Sequence, residues 1–240
     1  TLIMKAIILA AGRGSRMKDM TDEKPKCLVK LHGKPLLEWQ INALREAGVT
    51  EIAIITGYKS KLLDNYADFY FHNSRWAETN MVSSLACAHE WLSAEPCIIS
   101  YSDIFYDCSA VKALMKSKAI LALTYDPNWQ ELWERRFDDP LLDAETFNLQ
   151  SDGTLVEIGK KPKSIEEIKG QYMGLLRFTP VGWAEVIRIR SKLNSKERDS
   201  MHMTATIQKV IEANNVLVAA IPYEMEWGEI DSTDDLETYS

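Results

Sequence analysis

The sequence predicts an α/β fold with a mostly parallel or mixed sheet flanked by helices, and three observations lead there. Short apolar runs at Ile3–Leu9, Glu51–Thr56 and Cys97–Tyr101 read as buried strands. Segments of helical periodicity separate them, which is the alternation expected of parallel strands joined by crossover helices. A glycine-containing loop, Gly12-Arg13-Gly14, follows the first run directly, at the carboxyl end where such sheets place their sites.

Taken in order, residues 33–49 predict a helix, with Pro35 in the first turn, Leu36, Leu37, Ile41 and Leu44 near helical spacing, and Gly48 as the stop. Residues 79–92 predict a second helix, with Thr79 or Asn80 as N-cap. A short helix over 109–116 and a strand over 119–126 follow, and the strand at 97–101 ends at Ser102-Asp103. Residues 127–147 mix tryptophans, arginines and acids with little periodicity. Residues 145–159 predict a hairpin turning at Asp152-Gly153. A strand over 172–179, helices over 180–193 and 204–213, a strand over 216–221 and a final helix opened by a capping box at Ser232–Asp235 complete the chain. The expected organisation is one domain spanning 1–240, with a substrate-facing insertion over 127–175.

Composition excludes several classes. The chain has 240 residues and a formal net charge of −7, which argues against a nucleic-acid or membrane-surface binder. Cys27, Cys87, Cys97 and Cys108 fall at irregular spacing with no metal-ligand pattern, so a reduced, cytoplasmic setting is expected. No apolar run reaches membrane-span length and no signal-peptide pattern opens the chain; Met4 is a candidate start. The oligomeric state, monomer or homodimer, is left open.

The glycines of the first loop satisfy G-x-G only. Met17 stands where the dinucleotide fingerprint needs Gly or Ala, and no Walker loop is present. By itself the loop reads equally as a tight turn with solvated charges or as a phosphate cradle in which Arg16 and Lys26 add cationic groups.

The longer string LAAGRGSRMKDMTDEKPKCL, followed by GKPL, closely resembles the N-terminal signature of the nucleotidyltransferases that make NDP-sugars and CDP-alcohols. That resemblance implies a Rossmann-like nucleotidyltransferase fold. It implies that Leu9, Ala10, Ala11, Gly12 and Gly14 wrap an NTP, and that Arg16 and Lys26 grip its phosphates and act in catalysis. It also implies a Mg²⁺ held by two acidic groups, here Asp103 and Asp231, with Glu229 and Asp107 behind them. The segment NSRWAETNMVSSL (73–85) is similar to the phosphocholine-cytidylyltransferase-like branch, whose members act on phosphocholine, 2-aminoethylphosphonate and phosphorylated amino-acid amides. In that branch Thr79, Asn80, Ser83 and Ser84 would serve cytosine and ribose, although an N-cap with small packing residues explains the same pattern.

Lys161 and Gly174 match a lysine and a close-approach glycine that face the second substrate in sugar-phosphate relatives, while Lys160 replaces the acidic residue expected there. Trp129, Trp133, Tyr101, Tyr172 and Trp227, with Asp138, Asp139 and Asp143, are candidates for holding an ammonium head group. Arg135 and Arg136 are candidates for a carboxylate or phosphonate. The implied partners are CTP and a small phosphorylated or phosphonate substrate, with products feeding surface-polymer or phosphonate chemistry. Two other functions are weighed: a sugar-1-phosphate uridylyl- or thymidylyltransferase, and a non-catalytic nucleotide-binding regulatory domain. The latter predicts loss of Arg16, Lys26 or one of the two aspartates, and all four are present.

Overall fold

The computed structural model describes residues 3–240. Thr1 and Leu2, part of the stretch ahead of the candidate start Met4, lie outside the described residues. Strand β1 (Lys5–Ala10) runs into the glycine loop and a 3₁₀ turn. A tight hairpin of β2 (Lys30–Leu31) and β3 (Lys34–Pro35) turns at His32-Gly33, both at positive φ, and leads into α1 (Leu36–Ala47). Then come β4 (Glu51–Thr56), β5 (Phe69–His72), α2 (Met81–Ala86), α3 (His89–Leu92) and β6 (Cys97–Tyr101). The chain continues through β7 (Ile104–Tyr106), α4 (Cys108–Lys116), β8 (Leu121–Asp126), α5 (Trp129–Arg136), β9 (Phe147–Leu149), β10 (Leu155–Ile158) and β11 (Gln171–Phe178). It ends with α6 (Pro180–Ser191), α7 (Ser195–Ser200), α8 (Met203–Ala213), β12 (Val218–Pro222), β13 (Trp227–Glu229) and α9 (Thr233–Thr238).

Seven strands form one sheet in the order β12-β8-β11-β6-β1-β4-β5. It is parallel except at β11, which runs antiparallel to β6 and to β8. Both faces are buried, which is why β1, β4 and β6 carry continuous apolar runs (Ala6–Ala10, Ile52–Ile55 and Cys97–Ile99) rather than alternating ones. Ala6, Ile8, Ile52, Ile54 and Ile98 pack on one face against Leu36, Leu44 and Val111 of α1 and α4. Ile7, Leu9, Ala53, Ile55 and Ile99 pack on the other against Val82, Val186 and Ile207 of α2, α6 and α8. No helix of the described residues is long and apolar enough to cross a membrane.

Four features depart from the sequence expectation. The helix expected over 79–92 is capped by Asn80, one of the two expected N-caps, but breaks between α2 and α3 at Cys87-Ala88. The aperiodic stretch after Asp126 contains α5, whose Trp129, Leu132 and Trp133 are buried, so its apolar face is made of two tryptophans and one leucine. Helix α7 and strand β5 are further elements: α7 buries none of its residues, and the aromatic run Phe69–Phe71 of β5 is only partly buried. Finally, β7 and β13 pair antiparallel, Ile104 opposite Glu229 and Tyr106 opposite Trp227. This two-stranded ribbon brings the chain's end back to the carboxyl edge of β6, and Ile230 N–H donates to the Asp103 carbonyl at 2.8 Å.

Candidate active site

The loop after β1 is built to leave backbone open. The side chains of Leu9, Ala10 and Ala11 are buried, so a ligand can reach those residues only through their main chain. A Cβ on Gly12 would meet nothing within 4 Å. Gly14 is left-handed, φ +72°, and the following turn is tied back by Thr21, whose hydroxyl donates toward the Gly14 and Lys18 carbonyls at 3.2 and 3.1 Å. Tyr58 holds the far side, donating its hydroxyl to the Thr21 carbonyl at 2.6 Å and its N–H to the Ala11 carbonyl at 2.9 Å.

Pro25 presets the extended entry to Lys26, whose largely buried side chain points inward. The Lys26 ammonium lies 3.2 Å from Asp103 Oδ2 and 3.0 Å from Asp231 Oδ1. Arg16, 71% exposed, reaches Asp231 Oδ1 at 3.3 Å from the solvent side. Glu229 completes the group: Asp103, Glu229 and Asp231 each offer an oxygen, all within 4.8 Å of one another. Burial of Lys26 disfavours its charge, but Asp103 and Asp231 outweigh that and raise its pKa. Burial likewise raises Asp103, against the pull of Lys26, and raises Glu229 well above the ordinary carboxylate range, with the Asp231 and Asp103 charges adding to it. For Asp231 the opposite sign wins: burial is outweighed by a hydrogen bond from Glu229 and by the Lys26 and Arg16 charges, so its carboxyl is held below the usual range.

Three carboxylates converge here, with Lys26, Arg16 and Arg136 around them. Asp103 Oδ1 is buried without a hydrogen-bond partner among the described residues. Hard oxygen donors of this kind fit Mg²⁺, which binds through few carboxylates and keeps coordination positions for phosphate and water. Of the carboxylates involved, Glu229 was only a secondary candidate from sequence, and the β7–β13 pairing is what places it.

A cavity of about 340 Å³ opens from this cluster. Arg16, Asp103, Glu229 and Asp231 line one part of it, and Tyr101, Tyr172, Gly174, Trp133, Glu145 and His202 line the rest. Gly174, φ +91°, permits the closeness: a Cβ there would lie 2.9 Å from the Tyr101 ring. Asn80 also borders the cavity, its amide 2.9 Å from His202 Nδ1. Thr79 and Ser84 are held by one residue, since Asn73 donates to both hydroxyls at 2.9 Å.

Four expected substrate contacts need correction. Trp129 is buried in the core, with its indole N–H donated to the Ile168 carbonyl at 3.2 Å. The Arg136 side chain is 0% exposed and faces the acids from behind: it donates to Asp235 at 2.9 and 3.0 Å and lies 3.6 Å from Asp231 and 3.7 Å from Glu229. Lys161 is exposed and does not line the cavity. Trp227 is likewise buried, its N–H given to Asp126 at 2.8 Å. The cavity instead uses Glu145, Gln171 and the His202–Thr204 stretch, which no local motif marks because these three places lie far apart in sequence.

Comparison with known proteins identifies the family. Residues 6–152 match the MobA-like NTP transferase domain. The chain is 38% identical over 250 aligned positions to a CTP:phosphoglutamine cytidylyltransferase of Campylobacter jejuni, covering 98% of each. It is 43% identical over 94 positions to a choline-phosphate cytidylyltransferase of Streptococcus pneumoniae, covering 38% of this chain and 41% of that one. Its fold superposes on the inositol-1-phosphate CTP transferase from T. maritima with a TM-score of 0.78, at 20% identity, over 100% of this chain and 96% of that one. A family match over more than half the chain, joined to a relative matched from end to end, makes this protein a nucleotidyltransferase of the MobA-like NTP transferase family.

Proposed function

We propose that the protein transfers CMP from CTP to the phosphate or phosphonate of a small amine-bearing acceptor, releasing pyrophosphate. The observation that carries this reading is a single cavity that joins the carboxylates and cations of a nucleotidyl-transfer site to a pocket containing Tyr101, Tyr172 and Glu145. The end-to-end similarity to a relative named for CTP and phosphoglutamine, and partial similarity to choline-phosphate and 2-aminoethylphosphonate cytidylyltransferases, point the same way.

In this reading the 9–14 main chain cradles the nucleotide phosphates, and the 73–84 segment faces cytosine and ribose. The acceptor oxygen is already ionised at neutral pH, so no general base is required; catalysis is positioning and charge neutralisation. Lys26 and Arg16 stabilise the charge that develops as pyrophosphate departs. Asp103, Glu229 and Asp231 would hold Mg²⁺, which neutralises phosphate charge when bound. Tyr101 and Tyr172 wall the reacting centre from water. We read residues 1–240 as one nucleotidyltransferase domain whose 127–175 segment serves the acceptor, acting in the cytoplasm to supply surface-polymer or phosphonate chemistry.

Pyrophosphate release measured with each of the four NTPs against phosphocholine, 2-aminoethylphosphonate and phosphoglutamine tests the reading. Turnover is expected with CTP and Mg²⁺, and lost on chelation. Turnover with UTP or dTTP plus a hexose 1-phosphate, and none with CTP, would overturn it.

A further inference from the structure

The part of the cavity away from the carboxylate cluster is organised around one acid that the nucleotidyl-transfer scheme does not use. Glu145 is fixed through its main chain by Gln171, a buried side chain that accepts from the Glu145 N–H at 3.0 Å and donates to its carbonyl at 2.7 Å. Glu145 lines the cavity, and no lysine or arginine pairs with its carboxylate among the described residues. Burial raises its pKa, against a hydrogen bond from Thr204. Thr204 is itself seated against Gly159, at φ +81°, where a Cβ would come within 2.8 Å of the threonine side chain. A half-buried carboxylate on a fixed main chain, favoured in its charged form only by Thr204 and by His202 of the same cavity and paired with no lysine or arginine, has room for a cationic ligand.

The neighbouring aromatic groups say which kind of cation. A trimethylammonium group is held by open ring faces, because it has no N–H to donate. Here the face of Trp133 already carries the Arg136 guanidinium, 5.4 Å from the ring centroid, and its N–H is given to Asp143. Tyr101 and Tyr172 meet edge to face at 5.6 Å, so they spend part of their ring surface on each other. The Tyr172 hydroxyl is buried and unpartnered among the described residues. An ammonium with three N–H donors would satisfy Glu145 directly and leave donors for oxygen acceptors beside it, whereas a methylated one would leave them unmet.

We infer that Glu145, positioned by Gln171, selects an acceptor whose amine bears N–H groups over one whose nitrogen is fully methylated. This rests on the acceptor occupying the cavity as proposed above. The test is direct binding of phosphoethanolamine, phosphoserine and phosphocholine to the Mg²⁺-loaded enzyme by titration calorimetry, with pyrophosphate release from each NTP measured alongside. At least one N–H-bearing acceptor should bind about tenfold or more tightly than phosphocholine. In Glu145→Gln that ratio should fall to within about threefold, and Glu145→Asp should restore part of it. Phosphocholine binding as tightly as the primary amines, no binding of any of the three, or a ratio unchanged in Glu145→Gln would overturn the inference. Should Glu145→Gln not fold, the wild-type ratio alone decides. Selective amine binding without CTP turnover would sink the CTP reading and leave this one standing; CTP turnover with phosphocholine preferred would do the reverse.

Discussion

A Cβ on Gly14 would lie 2.7 Å from Lys26 Cβ and 2.8 Å from its Cδ, so the second glycine of the first loop is the surface on which the lysine stem lies. Gly14 also occupies the left-handed region, φ +72°, where alanine is strained. The spacing between glycine loop and Pro-Lys is therefore also a packing relationship. Gly14→Ala should displace the stem of Lys26 and lower kcat at least tenfold, with a stability loss of about 1–2 kcal/mol from backbone strain. Steady-state kinetics and urea unfolding measure both. Wild-type kcat would show that the lysine does not need this seat.

Lys26 itself is the bridge between Asp103, from the middle of the chain, and Asp231, from near its end. Lys26→Ala should reduce kcat by about 10²–10³, the scale of losing one preorganised charge donor in a closed site. KM for the nucleotide should change less, because the loop main chain still binds. Full activity in Lys26→Ala would refute its assigned role.

How much of this was legible follows from the range of each signal. Runs such as Ala6–Ala10 and Ile52–Ile55 are apolar on both faces because both faces are covered, and that pattern is local. Asp103 was readable because a strand ends just before it. Glu229 needed the β7–β13 ribbon, and strands of three residues carry almost no periodic signal. Trp129 and Trp133 lie one helical turn apart on α5; the first goes to the core and the second borders the cavity, a difference set by packing partners remote in sequence. Arg136 looked like a ligand for an anionic substrate, and its anions turned out to be the protein's own.

The buried thiols give a pH prediction. Burial pushes Cys27 and Cys97 up to about 12. A folded pKa above the unfolded one means the folded state keeps protons that the unfolded state releases. Stability from this source is intact below about pH 8.5 and is lost as pH rises toward 12, by up to about 1.4 kcal/mol per thiol per pH unit. Urea unfolding between pH 8 and 10.5 should show the decline, and the Cys27→Ala, Cys97→Ala double variant should flatten it. In the native state at pH 8, iodoacetamide should modify Cys87 or Cys108 and spare the other two. An unchanged slope in the double variant would remove the thiols as its cause.

The last prediction concerns the arginine behind the carboxylates. Arg136 gives two hydrogen bonds to Asp235, and Asp235 in turn accepts the Asp231 N–H at 2.8 Å, so the guanidinium fixes the main chain that carries Asp231. Its stem comes from α5, the helix that also supplies Trp133 to the cavity wall. Removing one partner of a buried ion pair leaves the other uncompensated, so Arg136→Met should cost about 3–5 kcal/mol in urea unfolding. Asp235→Asn, which keeps an acceptor oxygen and removes a charge, should cost less. If the arginine acts by orienting Asp231 and Glu229, both variants should also weaken Mn²⁺ binding, measured by titration without nucleotide. Substitution would relieve neither carboxylate of its neighbour, so the loss should persist at Mn²⁺ levels where folding is complete. Normal Mn²⁺ affinity in a folded Arg136→Met protein would reduce Arg136 to a structural strut between α5 and α9.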